Sequence, residues 1–222
     1  MLTKLLTGGA ARKTRLHDEK GNCISPGRLA LHGPQAIATS MLRLAFGYRP
    51  AVPWISYTAI SILKSHLNES SRVLEFGSGM STIWYAQHAG QVCSVEDYKP
   101  WFDKVERLIK SRNLKNIDYR FASSMDSYSR FKADDNDGFD LIMVDGNHRS
   151  ACIANSAKLL KPGGILYLDN SDKDSDPGGG DMRVAEAFAL NFARERNAHI
   201  EYFTDFAPTQ LFVQQGLLIR LP

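Results

Sequence analysis

"RVLEFGSGMSTIWYAQHAG", Arg72 to Gly90, runs from an apolar stretch through a carboxylate and two glycines, Gly77 and Gly79, into a segment patterned as a helix. Arg72–Phe76 reads as a buried strand, and the segment from Met80 reads as a helix stopped by Gly90. The two glycines permit backbone angles barred to other residues and let a ligand come close to the main chain. The helix that follows presents unpaired N–H groups at its start.

The same alternation continues on the C-terminal side. "QVCSVE", "NIDYRFA", "FDLIMVDG" and "ILYLDN" are short apolar strands. Between them lie "DYKPWFDKVERLIKSRN", with Pro100 in its first turn, a polar acidic loop with one short helix, and "HRSACIANSAKLLKPGG", a helix closed by Pro162 and two glycines. "RVAEAFALNFARERN" is a further helix, and "IEYFTDFA" with "LFVQQGLLIRL" reads as a closing antiparallel pair. On the N-terminal side, Ile55, Ala59, Ile60, Ile62, Leu63 and Leu67 recur at helical spacing. Residues 1–50 carry so many Gly and Pro that only short helices or loops are expected there. Two parts follow: an N-terminal extension (1–50) that covers the cleft or selects substrate, and an α/β domain (51–222). Short apolar strands separated by helices imply a parallel sheet covered on both faces, with ligands at the carboxyl ends of its strands.

Composition agrees with one globular domain. The chain has 222 residues, 43% hydrophobic and 23% charged, and its +3 net charge shows no dense basic block of the kind that binds nucleic acid. Cys23, Cys93 and Cys152 form no C-x-x-C pair, which suits a reducing, cytoplasmic setting. No stretch has the length of a signal-peptide apolar region or of a membrane span.

The chemistry of the turn follows from what is missing and what is added. A dinucleotide fingerprint requires glycine at position 82, where this chain has Thr82. Glu75, two residues before the first glycine, would repel a phosphate and attract a cation. S-adenosyl-L-methionine, with a sulfonium, an ammonium and no phosphate, meets both conditions. Glu96 ends the second strand, nineteen residues after Gly77, where a carboxylate accepts from ribose hydroxyls. Asp97 suits a cap for the helix near Pro100. Trp84 and Trp101 suit core packing, with Tyr98 a further candidate to stack on adenine.

"VLEFGSGMST", "VCSVE", "FDLIMVDGNHRS" and "LLKPGGILYLDN" together resemble the successive motifs of class I S-adenosylmethionine-dependent methyltransferases, over about residues 72–170. The resemblance implies a Rossmann-like, seven-stranded, mostly parallel sheet whose last strand is antiparallel. It implies that Glu75, Gly77 and Gly79 line the methionine part, that Glu96 holds the ribose, and that Ser123 and Ser124 lie beside the adenine. Ser78, Ser81, Thr82, Asp97 and Asp145 are further cofactor-binding candidates. Many members have glycine where this chain has Ser81.

The strand-four and strand-five ends supply the reacting face. His148, with an imidazole suited to proton transfer near neutral pH, and Asp145 are the catalytic candidates. Asp145, Asp169 and Asn170 also resemble the magnesium-binding trio of catechol O-methyltransferase-type enzymes, which implies Mg2+ as a second cofactor. His148 then stands at the place of those enzymes' catalytic lysine. The loop "SDKDSDPGGGDMR" after strand five is placed as a lid. Arg43, Arg49 and Arg149 are candidates to recognise an anionic or sugar-bearing acceptor.

The expected activity is methyl transfer to oxygen of a small-molecule or glycan-like acceptor, by a chain that binds no nucleic acid and is compatible with a homodimer. The rivals are an NAD-linked Rossmann oxidoreductase and a non-catalytic binding subunit of the same fold.

Overall fold

A computed structural model describes residues 11–173 and 180–222. Seven strands, β1 (Arg72–Phe76), β2 (Gln91–Glu96), β3 (Ile117–Phe121), β4 (Phe139–Val144), β5 (Leu160–Leu168), β6 (His199–Phe206) and β7 (Val213–Arg220), form one sheet in the order β3-β2-β1-β4-β5-β7-β6. The pairs from β3 through β5 are parallel, and β7 runs antiparallel to both β5 and β6. This is the α/β sheet expected from the alternation, closing hairpin included. The order reverses between β1 and β4, so the ends of these two strands flank the switch point, where such sheets bind ligands.

The central strands bury both faces. Leu74, Phe76, Ile142 and Val144 contribute to one apolar layer, and Val73, Leu141 and Met143 to the other. Around the sheet lie α1 (Pro26–Phe46), α2 (Tyr57–His66), α3 (Met80–His88), α4 (Lys99–Ser111), α5 (Met125–Ser129), α6 (Arg149–Ser156) and α7 (Gly180–Glu195). Cys93 and Cys152 are buried free thiols, as expected, and Cys23 is exposed. Among the described residues no helix is long and apolar enough to cross a membrane.

Two elements differ from the sequence expectation. Residues 26–46, expected to hold only short helices or loops, form a single 21-residue helix with Pro34 inside it. Ser25 caps its start, Pro26 occupies the first position, and Gly47 closes it in the left-handed conformation at φ 64°. These end signals outweigh the one hydrogen bond that Pro34 removes. After strand four, the α-helix ends at Ser156 rather than at the Pro-Gly-Gly. Ala157–Leu159 continue as a 3-10 turn, and Leu160–Gly164 already belong to β5.

Two buried aspartates fasten the N-terminal segment to the hairpin. Asp205, on β6, accepts from Ser56 Oγ (3.0 Å), Thr58 N (3.1 Å) and Thr58 Oγ1 (2.9 Å), and pairs with His32 Nδ1 of α1 (2.9 Å). Asp18 accepts from Asn22 N (2.8 Å), Thr204 Oγ1 (2.8 Å) and Gln215 Nε2 (3.2 Å). Neither carboxylate reaches solvent. The segment leading into α2 is thereby held over the end of β5.

Candidate functional site

The turn after β1 is fixed by its neighbours. Gly77 sits at φ 96°, and a Cβ there would lie 2.5 Å from the Gly146 nitrogen, so both conformation and space demand glycine. Gly79 is extended and a Cβ there would touch nothing closer than 3.8 Å. Its lack of a side chain leaves room in the cavity that it lines.

Glu75 lies beneath this turn, fully buried, and three hydroxyls donate to it: Ser81 Oγ (2.5 Å), Thr82 Oγ1 (2.6 Å) and Ser94 Oγ (2.6 Å). Burial pushes its carboxyl up to about 7, against the pull of those donors. Thr82 Oγ1 also accepts from Gly79 N (3.0 Å), so the residue that replaces the third glycine ties the turn to the carboxylate.

Glu96 stands beside the turn. Ser78 N (3.1 Å) and Ser78 Oγ (2.9 Å) donate to one carboxylate oxygen, and Asp97 N (3.1 Å) and Tyr98 N (3.0 Å) to the other. Burial raises its carboxyl above the usual range, against these donors. Trp101 Nε1 holds the Ser78 carbonyl at 2.8 Å and the ring lines the cavity, so Trp101, packed against a core cluster as expected, also borders the site. Trp84 is core, stacked on His88.

Asp97 does not cap α4, whose N-cap, Tyr98, makes no side-chain bond. It reaches across to Asn147 Nδ2 (2.9 Å), with His148 Nε2 at 4.0 Å. His148 takes the left-handed conformation at φ 52° and its ring meets Tyr128 edge-on. Ser124 caps α5, and it and Ser123 are exposed beyond β3, outside the lining of either cavity described next.

Two cavities meet at this end of the sheet. The smaller, about 100 Å3, is lined by Ser78, Gly79, Ser81, Trp101, Trp54 and Asp145, among others. The larger, about 390 Å3, lies over the end of β5 and shares Trp54 and Asp145 with the first. Asp145 is thus the one carboxylate common to the two linings among the described residues.

Arg149 determines the charge at this junction. Its Nε donates to Gly146 O (2.8 Å), and its terminal nitrogens donate to the Asp169 carbonyl, to Asp145 O (2.8 Å) and, at 3.5 Å, to Asp145 Oδ1. It is buried, so it is a clamp between the β4 and β5 ends and not the exposed acceptor-binding arginine expected. Asp145 and Asp169 lie in hydrogen-bond contact, and burial first, then their mutual repulsion, raises the Asp169 carboxyl well above its usual range. Asp169 also accepts from Gln214 Nε2 at 3.4 Å. The magnesium trio does not fit this arrangement: the Arg149 guanidinium already stands 3.5 Å from Asp145 Oδ1, and Asp145 and Asp169 bond to each other instead of presenting two free carboxylates.

The proposed lid falls partly outside the described residues, at 174–179. Of its described carboxylates, Asp172 is buried and accepts from Glu19 N and Gln215 N, both at 3.1 Å. Arg43 and Arg49 lie over the Trp54 ring at 4.9 and 5.6 Å. Sequence reasoning missed Trp54 and Gln214, which show no motif. Only their packing under the fastened N-terminal segment brings them to the site.

A family model described as a methyltransferase domain matches residues 74–171. A protein-L-isoaspartate O-methyltransferase from Saccharophagus degradans is 33% identical over 90 residues, 40% of this chain and 40% of that protein. An O-methyltransferase from Bacillus cereus, solved with S-adenosylhomocysteine, superposes with a TM-score of 0.62 at 19% identity, covering 89% of this chain and 98% of that one. An O-methyltransferase from Streptomyces achromogenes involved in tomaymycin synthesis, solved with S-adenosylmethionine, gives 0.56 at 16% identity, covering 88% and 95%.

Proposed function

We propose that this chain, which carries the Rossmann-like fold of class I S-adenosylmethionine-dependent methyltransferases, transfers a methyl group from S-adenosylmethionine to oxygen of a small hydroxyl-bearing acceptor. The observation that carries the reading is the turn itself. It holds a buried carboxylate beneath it and a second beside it, and it opens on a cavity that joins another through Asp145.

In this reading the cofactor's cationic methionine part lies over the Ser78–Thr82 turn, where Glu75 supplies negative charge from below. Glu96 exchanges a Ser78 hydrogen bond for those of the ribose hydroxyls. The acceptor occupies the larger cavity. The bound cofactor would supply the methyl group to the acceptor oxygen in line, the S–CH3 electron pair staying with sulfur. The acceptor's proton passes to Asp145, the carboxylate between the cavities. His148, turned toward Asp97, orders the loop after β4 instead. The buried free cysteines favour a reducing, cytoplasmic compartment. The uncharged outer face of α1 favours a homodimer.

Calorimetry with S-adenosylhomocysteine and with NAD tests the cofactor. Binding of the first and not the second is expected, and the reverse defeats the reading. In an assay with methyl-tritiated donor, Asp145→Asn is expected to lower turnover at least about tenfold while His148→Ala costs less. The opposite ranking returns the proton to His148. A chelator is expected to leave the rate unchanged.

A further inference from the structure

The cavity over the end of β5 has a lining unlike a hydrophobic slot. Arg12, Asp169, Gln210 and Gln214 contribute polar groups, and Trp54 and Phe212 contribute rings. Two of these residues carry buried polar atoms with no partner among the described residues: the Trp54 indole Nε1, a donor, and Gln210 Oε1, an acceptor. Buried polar groups are almost always paired in native proteins, so an orphan donor and an orphan acceptor in one cavity lining need an explanation. The neighbouring groups do not supply it. Gln214 Nε2 is engaged with Trp54 O (3.2 Å) and Asp169 Oδ1. Arg12 is engaged with Glu19 (3.0 Å) and Asp172 (3.6 Å) and lies over the Phe212 ring at 4.6 Å.

We infer that this cavity is the acceptor site for a hydroxyl-rich, sugar-like molecule, toward whose hydroxyls the Trp54 indole and the Gln210 amide, both without a partner and closed to solvent here, turn when it is bound. The inference rests on the methyltransferase reading and specifies its acceptor. A hydroxyl group both donates and accepts, so a molecule carrying several of them satisfies a mixed pair of orphans. A flat phenol has one such group, which the methyl transfer itself requires at Asp145. It would leave the other two atoms unpaired, and a site built for hydrogen bonds rejects ligands that cannot make them.

Saturation-transfer NMR on the full chain with S-adenosylhomocysteine bound tests this, using methyl α-D-glucoside and D-glucuronate against phenol and p-cresol. Transfer to at least one of the sugars and not to the phenols is expected. Gln210→Leu is expected to abolish it with S-adenosylhomocysteine affinity unchanged by calorimetry, and Trp54→Phe is expected to weaken it. Transfer to the phenols alone, sugar signals that survive both substitutions, or silence from every probe overturns the inference. If S-adenosylhomocysteine itself fails to bind, it is the methyltransferase reading that falls.

Discussion

Thr82 stands where a dinucleotide turn has its third glycine, and its hydroxyl links the Gly79 amide to Glu75. The carboxylate held in this way has a pH consequence. Its folded pKa, about 7, lies above the ordinary 4.5, so the folded chain holds this proton more tightly than the unfolded one. The corresponding stability is present below about 4.5 and is lost as pH rises through 7, on the order of 3 kcal/mol. Glu75→Gln is expected to flatten that fall in denaturant titrations. A cationic ligand favours the ionised form, so S-adenosylmethionine affinity is expected to rise between about pH 6 and about pH 8 in the parent and not in Glu75→Gln. The two glycines separate in the same way. Gly77→Ala, strained in φ and driven against Gly146, is expected to cost at least about 3 kcal/mol of stability. Gly79→Ala is expected to fold normally and bind S-adenosylhomocysteine more weakly. Glu96→Ala is expected to weaken that binding by about 1–3 kcal/mol in calorimetry, as lost charged hydrogen bonds do.

At the scale of elements, β1 and β2 coincide with the expected strands because both are apolar runs punctuated by glycine or a terminal carboxylate. The long helix α1 was not legible in the same way. Its five Gly and Pro residues between Pro26 and Gly47 read as breaks, yet three of them mark the ends, where Pro and Gly belong. The catalytic end was legible only as a set of positions. Asp145, His148 and Asp169 are in the sequence, but Arg149, which ties the β4 and β5 ends together, is buried, and His148 faces Asp97 and Tyr128, which no spacing reveals. Asp205 was likewise invisible, since its partners come from α1, α2 and the residue beside it. Asp205→Ala strands several buried donors, and a loss of roughly 3 kcal/mol or more is expected from the denaturant midpoint.

For the whole molecule, the outward side of α1 is the largest unresolved feature. Leu31, Ile37, Met41, Leu44 and Phe46 are exposed, Leu44 to 83% and Phe46 to 80%. The helix carries no acidic residue, and Arg28 and Arg43 are folded back over Phe203 and Trp54 at 5.5 and 4.9 Å. An exposed apolar face of this kind is where the proposed homodimer would pair, one copy of α1 against the other. Sedimentation equilibrium is expected to give a dimer, and Leu44→Asp with Phe46→Asp a folded monomer. A monomeric parent would remove the pairing and leave the fold and site as described.

The tie between His32 and Asp205 spans 173 positions along the chain. On a ribosome, α1 leaves the exit tunnel well before the strand that receives it, 173 positions further along at Asp205. Until that strand emerges, the inward side of the helix lacks its destination. Nascent chains stalled before β6 are therefore the species most in need of a chaperone, and a trigger-factor or Hsp70 footprint on them should centre on α1 and fade once Asp205 has emerged.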